Sequence, residues 1–253
     1  MCTVLLGYRT VPGYHLVLAA NRDEFYQRST VTAQPWEAPS PIVGGRDLEA
    51  GGTWMGITAA GRWAVVTNYR EFPIPPIAPH SRGDLVARFL SETVSLEDYL
   101  ADLRQRPNDY HGYNLLLGEG SRIAYISNRG AEQAKVAPGW HGLSNHLLDT
   151  PWPKVVHGIN SLKAWSADPA ILDSEKAFQF LQHQQQAPDQ DLPQTGIGLD
   201  WERKLSALFI ETEKYGTRCS SLLLIDVEGN VTFQERSYVP EANAKFNFHW
   251  SLD

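Results

Sequence analysis

Short apolar runs separated by turn residues open the chain. Residues 2–8 are mostly apolar, Thr10-Val11-Pro12-Gly13 interrupts them, and residues 14–20 resume the pattern. Pro-Gly between two strand-like runs predicts a β-hairpin. With Pro12 and Gly13 as a two-residue loop, Cys2 falls opposite Asp23 and Thr3 opposite Arg22. A bulge would shift that register by a residue or two without changing the neighbourhood. The polar run Asn21-Arg22-Asp23-Glu24 is thereby carried to Cys2.

A second hairpin follows, with strands over residues 53–58 and 63–68 and a turn at Ala59-Ala60-Gly61-Arg62. Thr53 and Asn68 end at one rim. Ser81-Arg82-Gly83-Asp84 and Ser95-Leu96-Glu97-Asp98 are capping-box patterns, each ahead of apolar residues at helical spacing. Strands are expected at 113–118 and 123–128, with a short one reaching Ser144-Asn145. Helices are expected at 151–165, 174–183 and 201–212, and a last hairpin at 218–227 and 230–236. Strands arriving as hairpins and helices arriving in pairs indicate antiparallel sheets with segregated helices, a layered α+β domain spanning 1–253. Pro- and Gly-rich stretches at 35–52, 72–80 and 187–198 read as long loops, of the length that flaps over a site commonly have.

Composition narrows the chemistry. The chain has 253 residues, 42% hydrophobic and 20% charged, enough to bury a core without metals or disulfides. A net charge of −7, without long runs of one sign, argues against a nucleic-acid partner. Two cysteines do not make a disulfide framework, which points to a reducing, cytoplasmic setting. No stretch approaches the ~20 apolar residues of a membrane span. Walker, G-x-G-x-x-G, G-x-S-x-G and H-E-x-x-H patterns are all missing, and His141 and His146 read as loop residues. No cofactor or metal is implied.

Cys2 is the first candidate for chemistry. With Met1 removed, one residue would carry both a thiol and an α-amino group titrating near ~7.7–8.0, a nucleophile with its own base. A buried strand residue is the simpler reading of the same position. Asn21-Arg22-Asp23-Glu24 is either a strand end entering solvent or the charged surround of that thiol, where a guanidinium favours thiolate. Asn68 and Asn145, each after an apolar run, could turn the chain or aim an amide at an oxyanion. Arg218, opening another apolar run, is a second candidate cation, and Cys219 reads as core. Gly51-Gly52-Thr53-Trp54 could cradle an anion or simply turn the chain into a strand.

Taken together, Cys2, Asn21-Arg22-Asp23-Glu24, Gly51-Gly52-Thr53-Trp54-Met55-Gly56, Thr67-Asn68-Tyr69-Arg70, Ser81-Arg82-Gly83, Tyr113-Asn114, Leu143-Ser144-Asn145, Pro151-Trp152-Pro153-Lys154 and Gly216-Thr217-Arg218 resemble the NRDE family, also called the transport and Golgi organisation 2 family. That family is similar to N-terminal nucleophile (Ntn) hydrolases, which implies a four-layer αββα sandwich. The choloylglycine hydrolases and penicillin acylases of that group cleave linear amides with an N-terminal cysteine. The resemblance implies Cys2 as nucleophile, Asn68 as oxyanion donor and Asn145 as holder of the α-amino group. Arg22 and Asp23 stand at the strand end where that group places its arginine and aspartate, although here the two are adjacent. Arg218 is matched by strand order alone.

The expected function is an amidohydrolase or acyl transferase acting on a small acyl or amide substrate. The alternative is a non-catalytic ligand-binding or trafficking protein on the same fold, handling haem or acyl-CoA and lipids. Reversible oxidation of Cys2 as a redox sensor is a third possibility.

Overall fold

The computed structural model describes residues 2–73, 78–130, 134–169 and 172–252. Met1, whose removal the sequence reading requires, lies outside them, as do residues 74–77 of the expected loop at 72–80. The strands are β1 (Cys2–Tyr8), β2 (Tyr14–Phe25), β3 (Thr30–Pro35), β4 (Ile42–Asp47), β5 (Met55–Thr58), β6 (Arg62–Asn68), β7 (Tyr113–Glu119), β8 (Arg122–Ser127), β9 (Ala134–Lys135), β10 (Gly139–Leu143), β11 (Tyr215–Asp226), β12 (Asn230–Tyr238) and β13 (Glu241–His249). The helices are α1 (Arg82–Ser91), α2 (Leu96–Gln105), α3 (Pro153–Trp165), α4 (Ser174–Leu181) and α5 (Leu199–Lys204).

These strands form two antiparallel sheets, ordered β10-β1-β2-β11-β12-β13 and β3-β4-β5-β6-β7-β8-β9. Alternation sends Val4, Leu6, Leu16, Leu18, Leu223 and Phe233 inward to meet Met55, Ile57, Val65 and Leu116 of the facing sheet. The opposite face of the first sheet, with Leu5, Val17, Ala19 and Leu222, packs on α3 and α4. The second sheet packs on α1 and α2 through Leu85, Phe89, Tyr99 and Leu103. The order is helices, sheet, sheet, helices, the αββα sandwich. The serine caps form, the Ser81 and Ser95 hydroxyls accepting the Gly83 and Asp98 amides, while the carboxylates of Asp84 and Asp98 accept from Tyr110 OH and Ser95 Oγ in place of the serine amides of a full capping box.

The first hairpin differs from its sequence reading by one residue. Cys2 faces Arg22 and Thr3 faces Asn21. The hairpin closes on the Arg9 amide, which donates to His15 O at 2.9 Å, and the Tyr14 amide donates to Val11 O at 3.0 Å. Pro12 and Gly13 therefore sit inside a longer loop, with Arg9 at φ 52° and Gly13 at φ 79°. An odd number of loop residues moves the register by one. Cys2 and Arg22 consequently share the inner face of the sheet, while Asn21 turns to the helices.

Three further expectations are corrected, and one of two open readings is excluded. Asn21-Arg22-Asp23-Glu24 is no solvent-entering end: β2 runs on to Phe25, paired along its length with β11, and Asn21, Arg22 and Asp23 are buried. The stretch 35–52 contains β4, whose Gly44 and Gly45 leave no room for a Cβ; one at Gly44 would stand 2.6 Å from Met55 O. His141 belongs to β10 and pairs with Asp149 at 2.8 Å. The helix expected at 201–212 ends at Lys204, because tertiary hydrogen bonds take over beyond it. Phe209 N donates to His183 O at 2.9 Å and Ile210 N to Thr217 Oγ1 at 2.9 Å.

Candidate functional site

At one end of the sandwich the strands splay around a cleft of about 550 Å³, its open mouth included. Cys2, Arg22, Asp23 and Asn68, four of the residues singled out from sequence, line it together. Glu24, Arg28, Asp47, Thr53, Trp54, Val66 and the start of α1 complete the lining.

Cys2 is 8% exposed, and its carbonyl accepts from Ser144 Oγ at 3.2 Å. Burial pushes its thiol above the ordinary range, outweighing the opposing pull of Arg22 and of the Asp23 N–H. At neutral pH Cys2 is therefore a protonated thiol, and chemistry at its sulfur needs a base. Cys219 is buried and free, its thiol pushed further up by burial and by Glu235. This fits its reading as core.

Arg22 stacks on the Trp54 ring with its guanidinium carbon 4.2 Å from the ring centroid. Trp54 has this seat because β4 carries glycine beside it: a Cβ on Gly45 would lie 2.0 Å from Trp54 Cη2. Asp23, one residue on, points to the helix side. Thr217 Oγ1 donates to its carboxylate at 2.7 Å, and burial raises its pKa while Lys154 and Arg22 pull it down. Asn21, at the far side of β2, donates from Nδ2 to Leu181 O at 2.8 Å and Leu208 O at 2.9 Å and accepts from Ser220 Oγ at 2.6 Å. It pins the helical layer to the sheet and does not reach the cleft lining.

Asn68 lines the cleft at the end of β6, and its backbone O accepts from Asn145 Nδ2 at 3.0 Å. Asn145 is fully buried beside it. Its Oδ1 accepts from Ser144 Oγ at 3.2 Å and its carbonyl accepts from Arg70 N at 2.7 Å. A hydrogen-bond chain continues from here into the second sheet. Thr67 Oγ1 donates to Ser144 O at 2.5 Å, Asn114 Nδ2 donates to Thr67 Oγ1 at 3.2 Å, and Tyr125 OH donates to Asn114 Oδ1 at 2.8 Å. The two strand ends bearing Asn68 and Asn145 are thus held together next to the Cys2 backbone.

Arg218 is not brought to the lining. It is the extra residue of the β11 bulge between Thr217 and Cys219, and it faces away from the cleft. Its guanidinium donates to the carbonyls of Val239, Phe25 and Arg28 and to Thr30 Oγ1 at 2.5–3.0 Å. Those acceptors consume its hydrogen-bonding capacity, so it anchors the segment that presents Arg28.

Several groups at the site escaped the sequence reading. Arg28 pairs with Asp47 at 2.7 Å and approaches Glu49 at 3.6 Å. Arg82, the first residue of α1, enters because Gly52 and Gly83 let two backbones cross; a Cβ on Gly52 would stand 2.3 Å from Gly83 C. Lys154, the second residue of α3, is 2% exposed, and its Nζ has no hydrogen-bond partner among the described residues. Burial lowers its pKa to about 8, with Asp23 opposing and nearby Arg70 reinforcing that shift. Arg70 pairs with Glu202 at 2.8 Å and stacks on Trp152 at 4.7 Å. One clue to Lys154 was available: a lysine in the first turn of a helix opposes the helix dipole, so its placement there needs a reason. Among the described residues no cluster of three or more His, Cys, Asp or Glu could hold a metal ion.

The sequence profile described as "Transport and Golgi organisation 2" matches residues 1–240. A mouse (Mus musculus) protein, "Transport and Golgi organization 2 homolog", is 33% identical over 266 residues, covering 97% of this chain and 96% of its own. The human (Homo sapiens) "Transport and Golgi organization protein 2 homolog" is 34% identical, covering 94% and 93%, and the Drosophila melanogaster protein is 31% identical, covering 94% and 92%. Among solved structures, the Caenorhabditis elegans N-acylethanolamine-hydrolyzing acid amidase ortholog superposes with a TM-score of 0.52, over 88% of this chain and 92% of its own, at 10% identity. That likeness is one of fold: the αββα sandwich is similar to that of an Ntn hydrolase. By profile and by identity along nearly its whole length, the chain belongs to the transport and Golgi organisation 2 family.

Proposed function

We propose that this protein is an Ntn-type amidohydrolase or acyl transferase that uses Cys2, freed of Met1, on a linear amide or other acyl bond of a small molecule. The observation that carries the reading is the convergence of Cys2, Arg22 and Asn68 on one cleft of an αββα sandwich. The buried thiol is no standing thiolate, so its proton leaves as it attacks. The Cys2 α-amine takes that proton while sulfur bonds to the carbonyl carbon. Asn68 donates to the developing oxyanion, a contribution worth roughly 100-fold to 1000-fold in comparable sites. The amine then returns the proton to the leaving group, an acyl thioester forms on Cys2, and water or another acceptor takes the acyl group and regenerates the thiol.

In this reading Asn145 holds the α-amine and Asp23 sets the local field, while Arg218 acts only by anchoring residues 25–30. We place the protein in the cytoplasm: both cysteines are free, and no helix among the described residues is long and apolar enough to cross a membrane. The test is turnover of a panel of acyl amides and thioesters by the unmodified protein and by Cys2→Ala. Hydrolysis lost in Cys2→Ala supports the reading. Hydrolysis surviving in Cys2→Ala sinks it. Stoichiometric capture of haem or an acyl thioester without product would favour the carrier alternative, to which the relatives' transport names lend support.

A further inference from the structure

The cationic side of the cleft is under-used. Arg22 is 6% exposed and lines the cleft, yet its guanidinium donates to no described acceptor; its contact is the Trp54 face. Arg82 donates only a long bond, Nη1 to Gly112 O at 3.4 Å. Of the lining carboxylates, Asp47 is occupied by Arg28 and Asp23 faces Lys154. Glu24 alone of the lining carboxylates is left to balance Arg22 and Arg82, two cations against one anion, and against the effect of burial its carboxyl is held low by the N-terminal ammonium and the Phe25 N–H, then by Arg22 and Arg28.

The ten-residue helix α1 adds to this imbalance. Its N-terminus, Ser81-Arg82-Gly83, opens onto the same cleft. The positive end of its dipole therefore points where the guanidiniums point. Asp84, the acidic residue of that first turn, is engaged elsewhere, accepting from Tyr110 OH at 2.9 Å. A buried arginine with open donors beside a helix N-terminus is the arrangement that binds an oxyanion in bidentate fashion.

Resting on the acyl-transfer reading above, we infer that the substrate is an acyl amide carrying a carboxylate or phosphate a few bonds from the reacting carbonyl, held between Arg22, Arg82 and the start of α1. The stack of Gly45, Trp54 and Arg22 fixes one side of this seat. The Gly52–Gly83 crossing fixes the other. Arg82 and Cys2 line the same cleft, so an anion held there is near the reacting thiol. The cleft would then select by charge as well as by shape.

The test separates binding from chemistry. Cys2→Ala protein is titrated calorimetrically with N-butyrylglycine, N-butyryl-phosphoethanolamine and neutral N-butyrylethanolamine. At least one anionic probe is expected to bind about tenfold tighter than the neutral one, and to weaken as salt is raised. Which of the two binds tighter identifies the oxyanion. Arg82→Gln on the same background should close the gap, and Arg82→Lys should restore part of it; Arg22→Gln is the second probe, its fold checked by circular dichroism. Equal binding of the neutral probe, no binding of either anionic probe, or a gap that survives both glutamine substitutions overturns the proposal. Charge discrimination without turnover by the unmodified protein would sink the hydrolase reading alone. Turnover of the neutral amide with no charge discrimination would sink the oxyanion seat alone.

Discussion

Replacing Lys154 by methionine removes a buried charge at a helix N-terminus with little change in volume, and the consequence depends on pH in a way that can be worked out. Burial penalises the ammonium and lowers the pKa of Lys154 in the fold to about 8, against an ordinary value of 10.5. The unfolded chain keeps the ordinary value. Below about 8 the folded protein carries the full penalty of the charged form; above about 10.5 both states are neutral and the penalty is gone. Between those limits the unfolded state binds more protons, so native stability rises with pH. At about 1.4 kcal/mol per pH unit across that window, unmodified protein should gain roughly 3 kcal/mol relative to Lys154→Met. Urea unfolding at intervals from pH 7 to 10.5, for both proteins, measures the difference directly. Parallel curves would refute the assignment of Lys154 as a desolvated cation.

Other side chains give sharper yes-or-no outcomes. Asn21→Ala strands two carbonyls in the sheet–helix layer and leaves the Ser220 hydroxyl with Tyr238 OH alone, and should cost about 2–4 kcal/mol in urea unfolding, an outcome below 1 kcal/mol contradicting its role as a pin. Arg218→Met should destabilise by about 2–5 kcal/mol and expose residues 25–30 to limited proteolysis, since four acceptors each lose a donor and only Phe25 O keeps a second one, from the Arg28 amide. Gly52→Ala forces α1 away from the β5 approach, so a loss of about 1–3 kcal/mol should come with slower alkylation of Cys2. In unmodified protein the pH dependence of Cys2 alkylation by iodoacetamide should have its midpoint above the ordinary thiol range, because burial raises that pKa; a midpoint below it would show a preformed thiolate.

Much of this architecture was legible from local signals. Hairpins with strong turn residues and helices with Ser caps announced antiparallel sheets and paired helices. Strands whose identity depends on their partners were harder to read. β4 is built from Gly44 and Gly45, weak strand formers kept because Met55 and Trp54 press against them. β13 alternates exposed and half-buried positions and packs Phe246 and Phe248 on the inter-sheet core, a pattern diluted by Asn and Lys. The candidate site was legible where a residue's neighbours come from its own hairpin, as with Cys2 and Arg22. It was illegible where contact depends on register or on distant segments. One residue of loop length decided whether Arg22 or Asp23 faces Cys2, and a single bulge turned Arg218 away from the cleft. Arg82 and Lys154 arrive on helices more than 70 positions from Cys2, and nothing in their own windows says where those helices dock.

The most direct test of the central claim is the intact mass of the protein, produced at native expression level and then exposed to p-nitrophenyl butyrate. The account predicts a chain lacking Met1 that gains one butyryl group, labile to hydroxylamine and absent from Cys2→Ala. A chain that retains Met1, or an adduct that persists in Cys2→Ala, would contradict an N-terminal cysteine nucleophile.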